Sequence, residues 1–178
     1  QTPISITVRI ERPDGEQRWV QFSSAPRRLR DGEWLWDGIE TDVTERHQAD
    51  VALQQTAERF AQIFTHSPIP ISVNRLRDGV LLDVNEAFLR LLGRSLDEVV
   101  GRSTLEIGLY AKPEERARIR ELLLREEHLH GVEQTILTKS GDHRNMLLWI
   151  DRLKIGGETC VLVAGLDVTE QRKVEAHE

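Results

Sequence analysis

One cysteine, one methionine and one tyrosine stand among 178 residues. The lone Cys160 excludes an intrachain disulfide and fits a reducing compartment. No apolar run reaches the roughly 20 residues that a bilayer-spanning helix needs, and no signal peptide is legible after Gln1, so the expected location is the cytoplasm. Charge of one sign is missing as a block. The 24 Lys and Arg are interspersed with 30 Asp and Glu to a net charge of -6, which leaves no basic stripe to neutralise nucleic-acid phosphates. Catalytic patterns are missing too: there is no Gly-rich phosphate loop, no Gly-x-Ser-x-Gly elbow and no His-Glu-x-x-His helix. The sequence therefore reads as a non-enzymatic globular chain that binds no nucleic acid.

What is present is a duplication. Asp42-Val43-Thr44-Glu45-Arg46 and Asp167-Val168-Thr169-Glu170-Gln171-Arg172 each follow a strand-like run and open a charged, helix-favouring segment. An acidic cap with Glu three residues on is the pattern that starts a helix, because these oxygens satisfy amides without an intrahelical partner. Each copy is predicted to be a strand-to-helix junction.

Ile4, Ile6, Val8 and Ile10 alternate with polar residues, as in a half-buried strand. Further strands are expected over 17–28 and 33–41, separated by the Pro13-Asp14-Gly15 and Asp31-Gly32 turns. From Thr44 to His66 the period lengthens: Ala49, Leu53, Thr56, Phe60 and Ile63 form a heptad-like seam on a helix of roughly 34 Å at 1.5 Å per residue. Val51, Ala57 and Phe64 fall off that seam, free to lie on a sheet. Pro68 and Pro70 end the helix. A hairpin over 69–84 turns at Asp78-Gly79, Asn85 caps a short helix closed by Gly93, and short helical turns follow over 95–100 and 104–109. A longer helix over 113–127 has Ile119, Leu122 and Leu123 facing inward, and three strands over 130–139, 144–154 and 158–166 complete the chain.

Those last three strands repeat the first three. Ser140-Gly141-Asp142-His143-Arg144 matches Asp14-Gly15-Glu16-Gln17-Arg18, and Glu33 to Asp42 is spaced as Glu158 to Asp167. On this order of elements, with Val84-Asn85-Glu86-Ala87-Phe88 and the closing Asp-Val-Thr-Glu, residues 57–172 resemble a PAS domain with its C-terminal PAC portion. Residues 3–46 resemble the last three strands and exit of another. The resemblance implies an α+β fold: a five-stranded antiparallel sheet with short helices and a longer connector helix on one side, preceded by a helical linker and a three-stranded partial PAS sheet. The division it suggests is 1–46 for the partial domain, 47–66 for the linker, 67–169 for the complete domain and 170–178 for the start of an outgoing signalling helix.

PAS domains bind haem, flavins, small metabolites or nothing, so fold alone does not name a ligand. The photosensory branch needs a Cys after the Gly101-Arg102 position, and the stretch to Glu106 has none, which argues against Cys–flavin chemistry. Haem-binding members use a His from the connector helix. His128 is the counterpart, in a polar setting with Glu126, Glu127 and His130 that could also hold a surface metal; the simpler reading is a solvated helix end without haem or metal. His47 and His66 on the linker helix read as solvated or helix-end residues. If the domain encloses a pocket, the candidates are Val73, Leu82, Phe88, Leu92, Leu105, Ile107, Leu122, Ile136, Met146, Leu148 and Val161. The matching family positions for coupling the last strand to the outgoing helix are Asp42, Thr44, Asp167 and Thr169. The implied role is a sensory and relay module of a bacterial-type signalling protein, with a histidine kinase or cyclic di-GMP enzyme as downstream effector. A ligand-free dimerisation and spacing unit is the alternative. A homodimer through the linker helix and the N-terminal strands is expected, because the face of Ile4, Ile6, Val8 and Ile10 needs a covering layer.

Overall fold

The computed structural model describes residues 2–175. It divides into two compact units that meet at Phe60 and Ala61, inside one helix.

The first unit opens with an antiparallel meander of β1 (Ile4–Glu11), β2 (Gln17–Arg28) and β3 (Trp34–Asp42). Pro26 lies in the middle strand, yet it breaks no three-stranded ladder: β1 reaches only the Ile4–Ser24 pair, so Pro26 faces Trp36 alone. One residue of this sheet, Val20, is buried, whereas Ile4, Ile6, Trp34, Trp36 and Ile39 are all exposed. The sheet thus displays the apolar face that its alternation predicts. Helix α1 (Thr44–His66) follows without a buried residue, and its seam positions Leu53, Phe60 and Ile63 are exposed.

The second unit is a five-stranded antiparallel sheet with helices on one face. After β4 (Ile71–Arg75) and β5 (Leu81–Val84) come α2 (Glu86–Leu92), a 3-10 turn at Leu96–Glu98 and α3 (Pro113–Arg125). Strands β6 (His128–Leu137), β7 (His143–Ile155) and β8 (Glu158–Asp167) lead into α4 (Thr169–Glu175). The strand order is β5-β4-β8-β7-β6, which places the first and last strands side by side in the sheet. Buried Phe88, Leu92, Val99, Ile119 and Leu123 from the helical layer form one core with Ile136, Met146, Leu148, Ile150 and Val161 from the sheet.

Local chemistry explains the helix ends. Asn85 is 1% exposed and uses both ends of its amide: Oδ1 accepts from Phe88 N at 3.0 Å and Ile71 N at 2.9 Å, while Nδ2 donates to Ile69 O at 2.8 Å. It therefore caps α2 and also fastens that cap to the start of β4. Gly93 ends α2 at φ +67°, a left-handed geometry that glycine accepts without steric cost. Helix α3 stops at Arg125, two residues before the predicted end. The reason is tertiary: Arg152 Nη1 donates to Leu123 O at 3.0 Å, and Arg152 N donates to Glu127 O at 2.8 Å, drawing the chain into the sheet.

Candidate functional site

Both junctions form the same joint, in each case built from a Thr, an Asp and the middle strand of a three-stranded meander. At the first, Asp42 Oδ1 accepts from Thr44 N at 3.0 Å, while Thr44 Oγ1 accepts from Trp19 N of β2 at 2.9 Å. At the second, Asp167 Oδ1 accepts from Thr169 N at 2.9 Å, and Thr169 Oγ1 accepts from Asn145 N of β7 at 2.9 Å. The backbone repeats as well: Val43 N donates to Trp19 O and Val168 N to Asn145 O, each at 2.8 Å. Arg18 pairs with Asp42 just as Arg144 pairs with Asp167. The hydroxyl contact differs from the expected helix cap, since threonine reaches back to the strand and only the carboxylate serves the helix start. Thr44 first, and then the Arg18 guanidinium, hold the Asp42 carboxyl well below the usual carboxylate range. His47, read from sequence as a solvated or helix-end residue, lies in the first turn of α1 with its ring centroid 3.9 Å from that of Trp19.

Between the helices and the sheet of the second unit lies a cavity of about 80 Å³. Its apolar wall includes Phe88, Ile136, Met146, Leu148 and Val161 from the pocket candidates, joined by Leu109, Ile119, Leu123 and Ile150. The other candidates do not line it. Leu92 and Ile107 are buried in the core, Leu122 packs against that core, and Leu82 and Leu105 are exposed. Val73 pairs with Leu162 on the opposite face of the sheet, because side chains alternate along β4 in its unbroken ladder with β8. The inward residues of β4 are thus Ser72 and Asn74, and both line the cavity. They bring the polar groups that the apolar candidates lack, together with Thr104, Tyr110, Arg116 and Arg120. Thr104 is 2% exposed, and neither its Oγ1 nor Asn74 Oδ1 has a hydrogen-bond partner among the described residues. Burial pushes the Tyr110 phenol up to about 12, so it stays neutral at physiological pH.

With this architecture in place, the sequence profile of the PAS fold matches residues 58–168. The chain belongs to the PAS family. It is 29% identical over 176 residues to the two-component sensor PprA of Pseudomonas aeruginosa, covering 96% of this chain and 19% of that protein. The chain thus spans about a fifth of its relative's length. Among solved structures, the PAS domain of an HTR-like protein from Haloarcula marismortui is 24% identical with a TM-score of 0.57, covering 68% of this chain and 98% of that one. A PAS domain from a two-component sensor histidine kinase superposes with a TM-score of 0.55 at 12% identity, covering 64% of this chain and 98% of that one. These likenesses to solved structures concern the fold.

Two further sequence candidates fall outside the cavity of this PAS domain. Cys160 is fully buried near the start of β8, where desolvation raises its thiol pKa, as suits a packing residue. His128 is not a helix end; it opens β6, with His130 two residues on. Among the described residues no helix is long and apolar enough to cross a membrane.

Proposed function

We propose that this chain is a sensory and relay segment of a larger signalling protein, one in which a PAS domain passes a change in its sheet to an effector. A histidine kinase is the favoured effector, given the relative named as a two-component sensor; a cyclic di-GMP enzyme is the alternative. The observation that carries this reading is the duplicated joint, in which one threonine hydroxyl ties the helix start to the middle strand of each meander. A joint made of caps alone would need no bond to that strand. Because Thr169 is bonded to Asn145 on β7, and Met146 next to it lines the cavity, displacement of β7 would turn the outgoing helix.

The test is the Asp167→Ala, Thr169→Ala double variant in the full-length protein. Losing a cap and one hydrogen bond costs about 1–2 kcal/mol, so the domain should stay folded by its melting curve while effector output stops following the input. Fully regulated output in the folded variant would show that the joint is only a cap.

The small cavity specifically favours a second reading, a spacing unit without ligand. At about 80 Å³ it holds a few waters or a compact molecule, far less than the roughly 300–1,000 Å³ of ordinary ligand pockets. Thr104 Oγ1 and Asn74 Oδ1, without a partner among the described residues, favour a small polar ligand instead, and native mass spectrometry of the purified protein distinguishes the two. In either case we take the exposed seam of Leu53, Phe60 and Ile63, with the open face of Ile4 and Ile6, as a homodimer contact. Leu53→Glu with Ile63→Glu should convert a dimer to a monomer in light scattering; a wild type that is already monomeric at micromolar concentration would refute the contact.

A further inference from the structure

The outward face of the sheet carries a second constellation, away from the cavity. His128 and His130 flank buried Leu129 on β6, so both imidazoles leave the face opposite the core. Asp151 of β7 stands directly across from His128 in the ladder, and Trp149 across from His130. Both rings converge on one oxygen: His128 Nδ1 lies 2.7 Å and His130 Nε2 3.1 Å from Asp151 Oδ1. The three potential ligand atoms are all within 4.8 Å of one another.

Strict alternation along β6 would not give this arrangement. The ladder slips between His130 and Val132, with Gly131 at φ +72°. That one-residue bulge lets His130 face outward while Gln134 and Ile136 farther along still face inward. Of the two carboxylates that the sequence suggested as partners, Glu126 and Glu127, Glu127 is engaged elsewhere, at 3.0 Å from Arg152 Nη2. Asp151, by contrast, forms ion pairs only with the two histidines among the described residues.

We propose that His128, His130 and Asp151 form a three-ligand site for a zinc-class divalent cation. Two neutral imidazoles and one carboxylate are a borderline-soft donor set that suits Zn²⁺ and its late first-row neighbours over Mg²⁺ or Ca²⁺. Zinc takes His nitrogen at about 2.0–2.1 Å and carboxylate oxygen at about 2.0–2.2 Å in tetrahedral geometry, so the donors need only small rotations of exposed side chains to close around an ion. Three protein ligands leave a fourth position for water or for a donor from another molecule. A bound ion would staple β6 to β7 at the end of the ladder remote from Asn145.

The experiment is calorimetric titration of Zn²⁺ into the chelator-stripped, untagged protein, repeated for His128→Asn, His130→Asn, Asp151→Asn and, as a control on another exposed histidine, His143→Asn. One equivalent should bind, with affinity reduced about tenfold or more by each of the first three substitutions, a loss at least as large as second-shell changes cause, and unchanged by the fourth. Co²⁺ should give visible ligand-field absorption in the wild type and His143→Asn only. Binding that is absent, or equally strong in all four variants, overturns the assignment. All four side chains are on the surface, and matching circular dichroism spectra would exclude misfolding as the cause of a loss.

Discussion

Thr104 illustrates how one atom can divide two functions. Its buried hydroxyl lacks a partner among the described residues, and a buried unsatisfied polar group costs about 1–3 kcal/mol. Thr104→Val keeps the shape and removes that cost, so the ligand-free domain should gain about 1 kcal/mol, or roughly 4–8 °C in thermal midpoint for a domain of this size. A lower midpoint in the thermal melt would mean that the hydroxyl is engaged by a tightly held molecule. Residues of this kind were the least legible in the sequence. Apolar pattern marked Phe88, Met146 and Leu148 as inward, but β4 turns Ser72 and Asn74 to the cavity and apolar Val73 away from it, and a reading wrong by one residue exchanges the two faces. Ser72, Asn74 and Thr104 gave no signal, because a small polar residue in a strand or turn reads as surface.

Among elements, the helix starts were legible and some ends were not. Asn85, Gly93, Pro113 and the aspartates of the two Asp-x-Thr junctions start or stop a helix within a few residues of themselves, and each lies where local chemistry put it, whatever longer contacts Asn85 and the two threonines add. The end of α3 depends on Arg152, far along the chain, so no local pattern could have shown that His128 belongs to a strand. A similar long-range tie secures the 3-10 turn. Glu98 accepts from Ser95 N at 3.0 Å and from Lys139 Nζ at 2.6 Å, while Lys139 N donates to Leu92 O at 2.9 Å. Lys139 first, and then the Ser95 amide, lower the Glu98 carboxyl from 4.5 to about 2. A depressed folded-state pKa contributes stability that is present above 4.5 and lost as pH falls towards 2. Glu98→Gln should therefore flatten the fall in stability across that acid window, as urea titrations at stepped pH would read. An unchanged slope would show that this exposed pair is screened to insignificance.

At the scale of the whole PAS unit, the duplicated meander and the order of elements were the most legible features, because repeated turns and strand spacing survive any error about faces. The strand order has a mechanical consequence. Ile71, where the chain enters β4, pairs with Ala164 near the exit of β8, and the ladder runs from there back to Arg75 and Cys160. Tension between the incoming and outgoing segments therefore loads this ladder from one end, parting its hydrogen bonds one after another as in a zipper. Optical-tweezer handles at Ser67 and Glu170 should open the domain at a clearly lower force than handles at Ser67 and Glu158, which load the same two strands in shear. Equal forces in the two geometries would rule this out. With the weak direction lying along the chain's own path, a pull arriving through one flanking segment would be yielded to first at the seam between entry and exit.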